Sequence, residues 1–212
     1  MIIINFKNYK HGKEALDLAE KIQKFLPEAI VAVSPSDVGY LTRHMKLKVF
    51  AQHIDVVQDE KKATGFLTIN AIKSNGAVGS LINHSEHQLS NSQVKESVEL
   101  LGKNKIFCVV CVRNLLSAKN ILKYGPDAIA FEDEKLIASG MSIATCRADD
   151  VRKFVELLKG SKVVPICGAG ISSAKDIGAA FELGCEGVLI ASAIANSDNP
   201  KDFLKEVSKL KL

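Results

Sequence analysis

The sequence predicts an α/β protein built as a single (β/α)8 barrel. Three observations predict it. Short apolar runs rich in Val and Ile recur eight times along 212 residues. Stretches of helical periodicity lie between them. No Pro-, Gly- or Ser-rich linker interrupts the chain, so residues 1–212 are read as one domain. Strands alternating with helices form a parallel sheet, because a parallel crossover needs a dozen or so residues. An open doubly wound sheet is the alternative, but it usually stops at fewer strands.

In order, the strands are predicted at 2–7, 30–34, 48–53, 77–84, 105–111, 127–132, 162–168 and 187–192. Ile2-Ile3-Ile4 opens the first, Ile30-Val31-Ala32-Val33 forms the second, and Val49-Phe50-Ala51 lies within the third. All are nearly all apolar, as strands buried on both faces should be. Helices are predicted at 15–25, 37–45, 68–74, 92–101, 114–123, 149–158, 174–183 and 201–210. Val151, Phe154, Val155 and Leu158 show the i, i+3, i+4 spacing of an apolar helix face.

The composition narrows the function classes. A hydrophobic share of 47% with 25% charged residues is that of a soluble globular domain. Trp is absent and aromatics are 6%, so the core must come mainly from Val, Ile, Leu and Ala. Twenty-eight Lys and Arg against 24 Asp and Glu leave a net charge of +4. This mild bias suits an anionic small molecule, and no basic run with aromatics marks a nucleic-acid surface. The opening apolar run is too short for a signal peptide, and no stretch of 18 apolar residues exists to span a membrane. The five dispersed cysteines read as reduced thiols in a cytoplasm.

In such a barrel, chemistry sits where strands end and the following loops begin. Asn5 and Lys7 alternate with Phe6 and share one face of the first strand, pointing into the barrel mouth. The fourth strand ends in Asn83-His84-Ser85-Glu86, with Ser85 a plausible helix cap, and the sixth ends in Glu132. The seventh runs into Gly168-Ala169-Gly170 before a helix opened by Ser172 or Ser173, and the eighth ends in Ala191-Ser192. Loops after strands seven and eight commonly bind phosphate in this architecture. Taken singly, each feature has a plain structural reading: a solvated Lys, a satisfied core His, a surface Glu, tight-turn glycines. Cys108-Val-Val-Cys111 lies on a strand, where i and i+3 face opposite sides, so it is not read as a metal or redox pair. His11, His44, His53 and His87 form no ligand spacing, and no metal is expected.

Together these segments resemble the triosephosphate isomerase family over nearly the whole chain. Asn5-Phe6-Lys7, Phe50-Ala51-Gln52-His53, Thr64-Gly65, Asn83-His84-Ser85-Glu86, Glu132, Cys167-Gly168-Ala169-Gly170-Ile171 and Leu189-Ile190-Ala191-Ser192 occur in the family's order. The Cys-Gly-Ala-Gly and Ala-Ser forms are similar to its short archaeal branch. The resemblance implies interconversion of dihydroxyacetone phosphate and D-glyceraldehyde 3-phosphate, with no cofactor, in glycolysis and gluconeogenesis. It implies Glu132 as the base and neutral His84 as the group polarising the carbonyl, a use of histidine documented for this family. Lys7 and Asn5 would hold and orient the substrate, with Glu86 near Lys7. Backbone N–H groups of Gly170, Ala191 and Ser192, and of a lid near Ile137 and Ala138, would bind the phosphate. Thr64-Gly65 would enter a partner subunit, giving a dimer or tetramer.

One departure stands out. The family usually follows its catalytic Glu with Pro and closes the lid segment in Gly-Thr-Gly. Here the segment reads Glu132-Asp133-Glu134-Lys135-Leu136-Ile137-Ala138-Ser139-Gly140. Another phosphosugar barrel enzyme, such as an epimerase or synthase, would share the phosphate loops but would not need Asn-x-Lys, His and Glu at strands one, four and six. The altered lid suggests a phosphometabolite-binding protein that has lost catalysis, and intact Lys7, His84 and Glu132 argue against it.

Overall fold

The computed structural model describes residues 1–132 and 142–210. Its eight strands are β1 (Ile2–Asn5), β2 (Ile30–Val33), β3 (Lys48–Ala51), β4 (Gly79–Ile82), β5 (Phe107–Val112), β6 (Ala128–Phe131), β7 (Val164–Gly168) and β8 (Gly187–Ile190). Each pairs in parallel with its sequence neighbours. The ring closes where Ile3 of β1 lies opposite Leu189 of β8. The predicted barrel is therefore the observed fold.

The helices are α1 (Gly12–Phe25), α2 (Pro35–His44), α3 (Ile69–Ser74), α4 (Asn91–Lys103), α5 (Leu115–Leu122), α6 (Ile143–Cys146), α7 (Ala148–Leu158), α8 (Ala174–Glu182), α9 (Ser192–Ala195) and α10 (Lys201–Val207). A 3₁₀ turn at Glu60–Lys62 and the short helices α6 and α9 are additions that periodicity did not indicate.

Period-two alternation divides the core into two layers. On β5, Cys108 and Val110 face the helices while Val109 and Cys111 face the barrel interior, so the two cysteines do stand on opposite faces. Inside, the Phe50 ring takes the space that a side chain at Gly79 would fill. Outside, Val151, Phe154 and Leu158 of α7 are buried, as their spacing predicts. The Phe154 ring stacks on Phe131 with centroids 5.1 Å apart. That contact fixes β6 next to Glu132; removing such a ring costs about 3–5 kcal/mol.

Strand ends differ from the sequence reading, and for a common reason. The first strand stops at Asn5 rather than Lys7, and the fourth at Ile82 rather than His84. Lys7 and Asn83 adopt φ of +45° and +60°, left-handed backbone that ends an extended strand. Ser85 is not a helix cap. The segment after Asn83 makes a turn, with the His87 N–H donating to the His84 carbonyl at 2.8 Å. The helix waits for Ser90, which forms a capping box with Gln93. Ser173 caps α8 in the same way with Asp176, as one of the two expected serines.

Candidate active site

The strand-end residues meet at one mouth of the barrel. Asn5, Lys7, His84, Glu132, Gly170 and Ser192 line a common pocket. Ala191 lines it too. The expected residues Ile137 and Ala138, and the segment from Asp133 to Lys135, lie outside the described residues.

Lys7 is held by its own backbone. Its N–H donates to Asn5 Oδ1 at 2.9 Å. The Gln52 side-chain amide donates to the same Oδ1 at 3.1 Å and to the Lys7 carbonyl at 3.0 Å. A left-handed non-glycine residue costs on the order of 1–2 kcal/mol, and these bonds offset that cost. The Lys7 ammonium donates to Glu86 Oε1 at 2.5 Å, in a pair where the lysine side chain is 10% exposed and the carboxylate 57%. Glu86 can therefore let go of Lys7 into water while Lys7 stays in the pocket.

His84 is buried, and its tautomer follows from its neighbours. The backbone N–H of Glu86 donates to Nδ1 at 3.2 Å, so Nδ1 carries the lone pair. The proton of the neutral ring then sits on Nε2, which lies 3.7 Å from Glu132 Oε2. A turn, not the expected helix N-terminus, supplies the N–H that sets this state. Asn83 fixes the turn, donating to the Cys111 carbonyl at 2.9 Å and accepting from the Leu89 N–H at 2.8 Å.

Glu132 is 6% exposed, and its Oε2 has no hydrogen-bond partner among the described residues. A buried, unsatisfied carboxylate oxygen is costly, and such costs collect at functional sites. The Cys111 thiol lies near the same carboxylate. That thiol is raised well above the ordinary range by burial first and by the negative Glu132 second, so it stays neutral. The aliphatic part of Glu132 rests on Gly168, where a Cβ would stand 2.9 Å from Cγ and 3.0 Å from Oε1. Gly168 is therefore the seat of the base as well as the start of the phosphate loop.

Across the pocket, Ala169 and Gly170 turn at φ +73° and +70°. The backbone N–H groups of Gly170, Ala191 and Ser192 have no acceptor among the described residues. They are available to an anion.

Sequence reasoning left Gln52, Cys111 and Gly168 without these roles. Gln52 was legible: Phe50 faces inward, so Gln52, two residues on at the strand end, faces inward as well.

A buried carboxylate, a neutral imidazole donor and a lysine beside backbone N–H groups without an acceptor among the described residues define an acid–base barrel enzyme for a small anionic substrate. Comparison with known proteins narrows the class. The sequence matches the family profile described as triosephosphate isomerase over residues 1–209. It is 36% identical to triosephosphate isomerase of Methanothermus fervidus, over 98% of this chain and 96% of that one. With the Methanobrevibacter smithii enzyme the identity is 35%, over 99% and 98%. Among solved structures, triosephosphate isomerase of Bartonella henselae superposes with a TM-score of 0.70 at 18% identity, covering 96% of this chain and 95% of that one. A 3-hexulose-6-phosphate synthase gives 0.66 at 15%, covering 98% and 97%, which shows the shared barrel alone. This chain belongs to the triosephosphate isomerase family. It is accordingly an isomerase of the family that interconverts dihydroxyacetone phosphate and D-glyceraldehyde 3-phosphate in glycolysis and gluconeogenesis.

Proposed function

We propose that Glu132, His84 and Lys7 carry this interconversion through an enediolate, without a cofactor. The single observation that supports it best is the unpartnered Glu132 Oε2 facing the His84 Nε2 across 3.7 Å. A substrate carbon and its carbonyl oxygen belong between such a base and such a donor. Glu132 removes the proton from the carbon next to the carbonyl. The C–H electron pair forms a carbon–carbon double bond, and the C=O π pair moves onto oxygen as negative charge. His84 donates Nε2–H to that oxygen, placed before charge develops. The proton passes between the two oxygens, and Glu132 returns its own to the neighbouring carbon.

Lys7 supplies a fixed positive charge to the phosphate and the oxyanion, oriented by Asn5. The phosphate takes the N–H groups of Gly170, Ala191 and Ser192, with those of Ile137 and Ala138 by family likeness. Substrate entry replaces Glu86 as the partner of Lys7. The whole of 1–212 acts as one catalytic domain, in the cytoplasm. The enzyme assembles as a homo-oligomer, a dimer or tetramer. The Thr64-Gly65 turn supports this, because Phe66 beside it is 56% exposed on a loop whose neck is closed by Asp55 and Leu67. Among the described residues no helix is long and apolar enough to cross a membrane.

The test is a coupled assay from D-glyceraldehyde 3-phosphate on wild type and Glu132→Asp. The shorter side chain withdraws the carboxylate by about 1 Å, a misplacement worth ~10²-fold in rate. The expected result is a kcat lower by that order with KM little changed. An undiminished kcat removes Glu132 from the role of base.

A further inference from the structure

The opposite end of the barrel carries a second cavity, of about 520 Å³. Small-ligand pockets run from roughly 300 to 1,000 Å³, so the size is right for one small organic molecule. Nothing in the isomerisation uses it: Lys48 and Phe107 open β3 and β5, and the catalytic residues follow the other ends of the strands.

We propose that this cavity binds a small planar aromatic anion, a carboxylate or sulfonate. The floor is aromatic and aliphatic. The Phe50 and Phe107 rings lie 5.7 Å apart at 32°, with Ile30 beside them. Phe50 is turned toward β4 because Gly79 leaves it room, and the mouth beside it stays open. Val78 is 45% exposed and Met1 36%, and both line this mouth, two of the few large apolar side chains exposed among the described residues. Isolated exposed apolar residues are ordinary; two of them around an aromatic floor make a surface for apolar contact.

The rim sets the sign of the ligand. Lys48 and Lys105 both line the cavity. Neither ammonium has an ion-pair partner among the described residues, whereas Lys7, Lys62, Lys95 and Lys159 each have one. Asp127 is the acidic side chain on the rim, and its Oδ2 already accepts the Cys108 N–H at 2.7 Å. Two cations without an ion-pair partner among the described residues, over an aromatic floor, complement a flat ring that carries one negative group.

The probe is 8-anilinonaphthalene-1-sulfonate, followed by fluorescence with the folded wild-type enzyme. The expected result is saturable binding at one site per chain, not displaced by inorganic phosphate or by the isomerase substrate. Each exposed charge contact is worth a factor of about two to five, so Lys48→Glu with Lys105→Glu should weaken binding about tenfold. Neither lysine belongs to the catalytic site, so kcat should stay at the wild-type value and report intact folding. Val78→Asp, which puts a carboxylate on the lip, should weaken binding similarly. The uncharged N-phenyl-1-naphthylamine should bind at least tenfold more weakly than the sulfonate. The proposal is overturned by no saturable binding, by displacement with phosphate, by unchanged affinity in the double variant, or by equal affinity for the uncharged probe. A change of molecular mass in the double variant would instead make this mouth a contact between copies, and overturns it too.

Discussion

Gly168→Ala tests whether the position of the catalytic base is set by the absence of a side chain on β7. The added Cβ would stand 2.9 Å from Glu132 Cγ and 3.0 Å from Oε1. Non-bonded carbons settle at about 3.5–4.0 Å, so Glu132 has to retreat by roughly 0.6–1 Å. A carboxylate can swing its oxygens aside, but Cγ sits near the backbone and moves only with χ1 or the strand. Misplacement on this scale costs up to ~10²-fold in rate, so kcat should fall about 10- to 100-fold. Substrate binding should change little, because the phosphate contacts lie beyond Gly168. Overpacking a core costs about 1–3 kcal/mol, which for a chain of this length lowers Tm by roughly 2–12 °C. Steady-state kinetics at 25 °C, well below the transition, separate the two effects. A kcat within twofold of wild type in Gly168→Ala would refute the argument.

Three other outcomes follow from the same geometry. Lys7→Ala should nearly abolish turnover and weaken inorganic phosphate as an inhibitor, and added salt should not restore either; unaltered phosphate inhibition would place the anion elsewhere. His53 is held below its ordinary pKa by burial first and by the His87 ring 4.1 Å away, against an opposing Asp55. The unfolded chain therefore takes up the proton at higher pH than the folded one. Stability should be complete above about pH 6.5 and fall as pH drops through the native value, by no more than ~1.4 kcal/mol per pH unit for one proton. Thermal unfolding from pH 7 to 5 should show a shallower loss in His53→Asn; an identical slope assigns the effect to other groups. Phe66→Glu should drive the oligomer toward the 22.9 kDa chain in light scattering, and an unchanged mass would remove this loop from the interface.

The fold was legible because burial on both faces leaves a plain mark. A strand inside a closed parallel barrel has no polar face, so Ile30-Val31-Ala32-Val33 reads as a continuous apolar run. α6 and α9, four residues each, were not legible. A single turn of helix buries too little for a periodic stripe to be visible. The site residues were legible one by one only as polar groups at strand ends. Their grouping depended on family order, because spacing along the chain does not report that Glu132 lies beside Gly168 or that Gln52 clamps the carbonyl of Lys7.

The boundaries that sequence reading extended too far are the chemically informative ones. Period-two patterning carries the first strand through Lys7 and the fourth through His84, since local propensity has no reason to stop either. Both give way within two residues to a non-glycine residue with positive φ, Lys7 and Asn83, and a third such residue, Ala169, follows β7. Each conformation disfavours folding locally, and each turns the chain into the site: Lys7 toward Glu86, the Asn83 turn toward His84 Nδ1, and Ala169 toward the Gly170 N–H, which has no acceptor among the described residues. Local rules are expected to fail where function is over-determined by surrounding contacts. The fourth left-handed non-glycine residue is Lys105, at φ +57°, far from the isomerase mouth. It stands on the rim of the second cavity. The strain alone does not make a site there, but it fixes where the chain turns and so where one of the two rim lysines is presented.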